Sequence, residues 1–225
     1  MPFKLKSPFI ITSLFAVLGL IYNSWPLGYF LDRAVYSSKL ASNLEDPGRP
    51  YSWVFIATDV IFSIGLIFLA MHIHSLFKRI KFNPRLLITI ILTGLFIFSL
   101  FTGFGAAAPD RCRLRHISIC VSLDGVNLSP DGLMTTMAGV GLLLSLAASA
   151  LLSLRLELKH RISSWSIFIA YLILGLLLVR GVNHGLSVVI VQRWFLITCW
   201  AGLISIGFNL DKILSRQHSP RHIAA

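Results

Sequence analysis

Acidic residues are scarce in this chain. Nine Asp and Glu stand against 20 Lys and Arg in 225 residues, and charged residues make up only 13% of the sequence. Soluble domains have about 25% charged residues, so this composition is untypical of a soluble protein. The positive charge is spread over several short segments instead of one patch, and we therefore expect no nucleic-acid partner.

Sequence motifs of catalysis and metal binding are also missing. The chain has no phosphate-binding loop, no zinc-protease helix motif and no serine nucleophile motif. Its three cysteines lack the matching histidines of a zinc site. His72 and His74 are two residues apart and point to different faces of a helix, which disfavours haem binding. We expect no cofactor and no metal, and a non-catalytic protein is favoured over an enzyme.

Long apolar runs dominate what is present. Hydrophobic residues make up 56% of the chain, and its mean hydropathy is +0.78. A membrane-spanning helix needs about 20 mostly apolar residues. Six stretches qualify, at about residues 8–27, 53–77, 86–105, 133–154, 162–183 and 186–210. The sequence therefore predicts an all-α polytopic membrane protein with six transmembrane helices. It forms a single domain over 1–225, with a disordered tail at 211–225.

The distribution of Lys and Arg predicts the orientation. With the N-terminus inside, 12 of the 20 basic residues flank the spans on the inner side and seven on the outer side, as the positive-inside rule requires of a cell-membrane protein. Both termini are then cytoplasmic. Lys4 and Lys6 before the apolar run Phe9–Tyr22 resemble a signal peptide, but no small-residue cleavage site follows, which favours retention as the first span.

Two opposite charges, Asp59 and Arg193, lie inside predicted spans. Both spans run from outside to inside, and both charges fall about 10–12 Å below the outer face. Ser63 shares the helical face of Asp59, and Gln192 adds a polar group beside Arg193. Intramembrane charges are costly and mark functional sites by default. Two interpretations stay open: a structural ion pair between two helices, or a polar site open to the outer face.

Two further features are candidates for structural roles. Cys112 and Cys120 lie seven residues apart in the second outer loop, where an oxidising compartment permits a disulfide. A small-residue stripe recurs every four residues in the fourth span and favours close helix packing. It consists of Gly141, Ser145, Ser149 and Ser153.

Several short motifs resemble one family. They are the run Asn23–Tyr29, the run Pro50–Phe55 followed by Asp59, a cysteine-bearing second outer loop, and Gln192-Arg193 in the last span. Together they resemble an uncharacterised family of six-span prokaryotic membrane proteins, the domain of unknown function nine-nine-eight, over nearly the whole chain. The resemblance implies the six-span fold and matches Asp59, Gln192 and Arg193 to family positions, but it implies no activity.

This chain departs from that family's pattern at two places. Family members often have an Asp-Cys pair in the second outer loop and a His near the start of the fourth span. Here Arg111 precedes Cys112, and Thr135 and Thr136 occupy the start of the fourth span. A chemistry that depends on this His is therefore disfavoured for this chain.

Three functions agree with these features. The favoured one is a non-catalytic membrane protein whose outward polar layer, around Asp59 and Arg193, binds a lipid head group, a small molecule or a partner protein. An intramembrane enzyme acting on lipid, with Asp59 as acid or base, is the first alternative. A small transporter is the second. Membrane lipids are the expected partners, and a protein partner or a homo-oligomer stays open.

The ion-pair interpretation makes a direct prediction. Asp59→Asn or Arg193→Gln alone should lower the yield of folded protein, because each leaves the opposite charge without its counter-charge in a low-dielectric region. The double variant that exchanges the two charges should restore part of that yield. Folded yield is measured by size-exclusion chromatography of detergent extracts. Normal yields of both single variants would contradict the ion pair.

Overall fold

The chain folds into a bundle of six long helices. The computed structural model describes residues 9–31, 33, 44, 50–78, 85–107, 122–123, 126–127, 130–181 and 186–217. The long helices are α1 (Ile10–Tyr22), α2 (Ser52–Lys78), α3 (Arg85–Ala107), α4 (Pro130–Ser153), α5 (Leu158–Gly181) and α6 (Leu186–Gln217). Six segments are long and apolar enough to cross a membrane, the first of them being α1 with the turns that follow it. The predicted six-span α-helical fold is confirmed.

The first span is broken near its end. After α1, a 3-10 turn covers Trp25–Leu27 and a short helix covers Gly28–Leu31. Pro26 lies in the first turn of the 3-10 segment, and a proline cannot continue α1 because it lacks the N–H and its ring clashes with the preceding turn. The backbone N–H and the side-chain Nδ2 of Asn23 both donate to the Gly19 carbonyl, at 3.0 Å. A polar turn therefore interrupts an otherwise apolar span.

Neighbouring helices in the chain are also neighbours in the bundle. α1 packs against α2 and, more extensively, against α6, so that the six helices close into a ring with α4 also touching α6. In the described part of the chain, α2 and α6 share at most a slight contact, since α1 lies between them. One core of buried apolar side chains draws on all six helices.

The two ends of the bundle differ. We call the loop end the one where α1, α3 and α5 end and where the longer connections lie. The basic end is the opposite one, where the helices are flanked by Lys78, Arg85, Arg155, Lys159 and Arg216.

The last helix is longer than predicted. α6 continues to Gln217 instead of ending near residue 210. Its final turns stay helical because Asp211, Ile213 and Leu214 are buried. The prediction of a disordered tail from residue 211 is therefore wrong for 211–217, and residues 218–225 lie outside the described part of the chain. α5 begins at Leu158, four residues before its predicted start.

Two strands lie between α3 and α4. β1 (Ser122–Leu123) and β2 (Val126–Asn127) pair antiparallel, with Ser122 opposite Asn127. The predicted disulfide partners, Cys112 and Cys120, lie outside the described residues. Cys199 is a free, buried thiol in α6.

The backbones of α3 and α4 approach each other closely. A Cβ on Gly141 would lie 2.7 Å from both the carbonyl oxygen of Gly94 and the amide nitrogen of Phe98. Ser145 Oγ donates across the same contact to the Ile91 carbonyl at 2.9 Å. The packing role predicted for the small-residue stripe is confirmed for these first two members.

This contact can be tested with a matched pair of glycines on α4. Gly141→Ala should destabilise the bundle by about 1–3 kcal/mol, because the new methyl must push two backbones apart. Gly139→Ala should be tolerated, since its Cβ would meet nothing nearer than the Tyr171 hydroxyl at 3.6 Å. Unfolding in mixed detergent titrations measures the difference. Equal stability of the two variants would contradict the backbone contact.

Candidate functional site

The polar turn after α1 contacts both neighbouring helices. Ser24 Oγ lies 2.8 Å from Thr58 Oγ1 on α2. Thr58 itself donates to the carbonyl of Phe55, so Ser24 is the donor of the pair. Trp25 Nε1 donates to Asn23 Oδ1 at 3.2 Å, which orients the indole ring. The turn is thus held to α2 and presents Trp25 on its other side.

Arg193 on α6 meets that ring. Its Cζ lies 5.4 Å from the centre of the Trp25 ring, a cation–π contact worth about 0.5–2 kcal/mol depending on solvation. Thr58 is six residues into α2 and Arg193 seven residues into α6, so both lie roughly 9–11 Å below their helix starts. The polar turn after α1 therefore joins α2 and α6 at the depth expected for Asp59 and Arg193. We call the group Ser24, Trp25, Thr58, Asp59, Gln192 and Arg193 the loop-end polar layer.

Asp59 follows Thr58 and faces the bundle interior. The residues one turn to either side of it on α2, Phe55, Phe62 and Ser63, are all buried. Asp59 is itself partly buried, as are Gln192 and Arg193 on α6. Both charged residues thus lie at the border of the core and within two to three helical turns of the loop end.

Ser63, which was expected on the same helical face as Asp59, lies one turn further along α2. It is 4% exposed and packs on α3, where a Cβ on Gly103 would lie 2.9 Å from Ser63 Cβ. Its buried Oγ has no hydrogen-bond partner among the described residues. Ser63 therefore takes part in the α2–α3 contact, one turn below the loop-end polar layer.

Three aromatic rings pack together near the loop-end polar layer. Tyr22 of α1, Phe62 of α2 and Phe98 of α3 meet with ring centres 4.6–5.7 Å apart. Such tilted and edge-on contacts add about 0.5–1.5 kcal/mol each beyond burial. They pack α1, α2 and α3 together near the loop end.

A second polar cluster, which the sequence did not predict, lies near the basic end. Asn209 of α6 is buried, and its Nδ2 donates to Ser149 Oγ at 2.9 Å and to Ser164 Oγ at 3.0 Å. Ser164 Oγ lies 3.1 Å from Ser205 Oγ. The cluster ties α4, α5 and α6 together. Its one sequence signal was Ser149 in the small-residue stripe.

The start of α1 is capped by a residue from the other end of the chain. Asp211 accepts from the backbone N–H of Thr12 at 2.8 Å, from that of Ile11 at 3.3 Å and from Thr12 Oγ1 at 2.6 Å. Phe9, the N-cap residue, makes no side-chain cap bond, so Asp211 supplies the acceptors that free helix N–H groups need. The sequence did not predict this contact, because Asp211 lies beyond the end of the predicted last span.

A metal site among the described histidine and cysteine side chains would require several such ligands to lie close together. In the ranges that the structure describes, no three His, Cys, Asp or Glu residues group closely enough to hold an ion. A separate contact closes the end of α4: Arg216 Nη1 donates to the Arg155 carbonyl at 2.7 Å.

Fold and site together define a class: a six-helix polytopic membrane protein with polar residues concentrated near the two ends of its bundle. Comparison with protein-family models, with curated proteins and with solved structures finds no match. The resemblance to the six-span family of unknown function therefore stays a prediction.

The cap on α1 leads to a stability prediction. Asp211→Ala should destabilise the protein by about 1–3 kcal/mol, because two buried N–H groups lose their acceptor. Hydrogen exchange at Ile11 and Thr12 should accelerate. Ser215→Ala on the same helix is the control, since the exposed Ser215 hydroxyl bonds only the Lys212 carbonyl among the described residues. Unchanged exchange in Asp211→Ala would contradict the cap.

Proposed function

We propose that this chain is a non-catalytic protein of the cell membrane whose loop-end polar layer binds a lipid head group. In this proposal the loop end faces outward and both termini are cytoplasmic. The contact of Arg193 with Trp25, at the depth where Ser24 meets Thr58, is the observation that carries it. A cation is held there on an aromatic face within reach of the membrane surface.

The orientation rests on the charge of the two ends. Basic residues concentrate at the basic end of the bundle, and such residues stay on the cytoplasmic side. The loop end also has exposed aromatic residues at its rim: Trp53 is 67% exposed and Tyr51 42%. Trp194, next to Arg193 and therefore deeper, is 58% exposed. Trp and Tyr are enriched at the level of lipid head groups. This supports a layer that lies just below that level.

Arginine suits a phosphate ligand. Its planar guanidinium can stack on an aromatic ring with its face and donate hydrogen bonds with its edge, and paired N–H groups match two oxygens of a phosphate. A long side chain about 10 Å below the surface can also extend its charged end towards the head groups. Asp59, at the same level on α2, would balance the charge of Arg193 when no anion is bound.

Three other functions would appear as different outcomes of a lipid-binding experiment. They are binding of a partner protein, binding of a small soluble molecule, and catalysis on lipid. The enzyme would need Asp59 to reach the reacting bond of a lipid, since a general acid or base must lie within hydrogen-bond distance of the proton it transfers. Turnover of lipid that stops in Asp59→Asn would identify that case.

Lipid retention provides the test. Arg193→Ala should weaken binding of phosphatidylglycerol about 10- to 100-fold, as expected when a charge-assisted hydrogen-bond partner is removed. Arg33→Ala is the matched control, because Arg33 also lies at the loop end and stacks on a ring, that of Tyr29 at 5.0 Å, outside the polar layer. Native mass spectrometry of protein titrated with phosphatidylglycerol counts the bound lipid.

Three results would reject this function. Equal lipid retention in Arg193→Ala and Arg33→Ala would exclude the polar layer as the binding site. If Arg193→Ala loses lipid only because it no longer folds, Arg193 has a structural role. Arg193→Lys, which keeps the charge, distinguishes this structural role from a role in lipid binding. Flux of a solute through proteoliposomes that requires Arg193 would favour a transporter.

A further inference from the structure

A groove of about 400 Å³ opens between α5 and α6 at the basic end. Among its lining residues are His160, Ser163 and Ile167 of α5, and Ile204, Ser205 and Asn209 of α6. Ser163 is exposed, and four of the others are only partly buried. From His160 to Ile167 the groove follows α5 for about 10 Å. It is thus open to the side of the bundle that faces lipid, and it belongs to the opposite end from the loop-end polar layer.

The lining changes from polar to apolar along the helices. His160, Ser163 and Asn209 lie towards the basic end, whereas Ile167 and Ala201 lie deeper in the membrane-spanning part. A phospholipid has the same order of polarity, with its head group at the surface and its chains inside. An apolar helix from a second copy would leave the polar half of the groove without hydrogen bonds, which is costly in lipid.

Asn209 forms the polar floor of the groove. Its Nδ2 is used by Ser149 and Ser164. Nδ2 also lies 3.3 Å from the Ser149 carbonyl oxygen, and Asn209 is one of the residues that line the groove. The hydroxyl of Ser163 at the rim is exposed. An occupant that both donates and accepts hydrogen bonds matches this lining.

Positive charge surrounds the mouth. Lys212 Nζ lies 5.4 Å from the centre of the Phe208 ring, which lines the groove, and 5.6 Å from that of Phe9. Among the described residues Lys212 forms no salt bridge, although its charge acts on Glu157. Lys159, Lys212 and Arg216 all lie close enough to His160 to act on it electrostatically. The mouth therefore favours an anion.

Glu157, an acidic residue near the mouth, already forms a salt bridge with Lys159. Glu157 Oε2 lies 3.4 Å from Lys159 Nζ and 3.9 Å from His160 Nε2. The hydrogen bond and the charge of Lys159 lower the pKa of Glu157, so that the carboxylate stays ionised at neutral pH and its attraction is lost only as the pH falls into the acid range. Arg161, next to His160, has a buried Nε without a hydrogen-bond partner among the described residues.

We propose that this groove binds an anionic phospholipid from the leaflet at the basic end. The head group lies between Lys212, His160 and Ser163, and the first part of an acyl chain follows Ile167 and Ala201 into the membrane. This site is separate from the loop-end polar layer and does not depend on the function proposed for that layer.

Cysteine protection tests the site directly. Ser163→Cys should react with a maleimide several-fold more slowly in the presence of phosphatidylglycerol than of phosphatidylcholine. Ser75→Cys is the control, because Ser75 is an exposed serine near the same end of α2, and its reactivity should be equal in both lipids. Peptide mass spectrometry separates the introduced cysteine from the native ones. Adding Arg193→Ala should leave the protection of the Ser163→Cys variant unchanged.

A charge variant gives the second measurement. Lys212→Ala should weaken phosphatidylglycerol binding at this site about fivefold, the effect of one basic residue near an anionic surface. Lys78→Ala, at the basic end of α2, should leave the protection as in wild type. Equal protection by both lipids, or equal effects of Lys212→Ala and Lys78→Ala, would overturn the proposal. Because Ser163 is exposed, its variant reports on the groove even if Lys212→Ala fails to fold.

Discussion

The rest of the bundle depends on the packing of α1 between α2 and α6. In lipid there is no hydrophobic effect to drive helices together, so association relies on close packing and polar contacts. α1 has both. Gly19 lies under the Trp200 ring, Gly65 under Leu18, and Gly207 under Phe15, where an added Cβ would clash in each case. Trp200 Nε1 also donates to the Ala16 carbonyl at 3.0 Å. These contacts set the distance between α2 and α6.

Polar groups then fasten the two ends of α1. At the basic end Asp211 receives the free N–H groups of Ile11 and Thr12, and at the loop end the turn at Ser24 and Trp25 meets Thr58 and Arg193. Both ties lie near the ends of the bundle, and charge and unpaired backbone cost less near the ends of a membrane span than at its centre. The break at Pro26 is what makes the second tie available, because a continuous helix would have no exposed polar turn at this depth.

The two candidate sites follow from this arrangement. At the loop end, α1 keeps the second and sixth spans apart, so that Asp59 and Arg193 flank a turn instead of lying on directly packed helices. At the basic end, small side chains such as Ala201 and Ser205 leave a groove between α5 and α6, and Asn209 gives it a polar floor. Charge of one sign dominates the mouth of that groove, whereas the loop-end layer contains both signs. The two sites are therefore expected to differ in their preference for anions.

The sequence by itself determined the number of spans, the α-helical class and the depth of Asp59 and Arg193, because length, apolar composition and helical rise are local properties. The packing role of Gly141 and Ser145 also followed from spacing along one helix. Only the tertiary structure decided that α1 separates α2 from α6, that Ser63 packs on Gly103 of α3, and that α6 continues past Asp211. Each of these depends on residues far apart in the chain. Asp211, for example, is buried where its carboxylate accepts hydrogen bonds from the N–H groups of Ile11 and Thr12. No pattern within a single span contains that information.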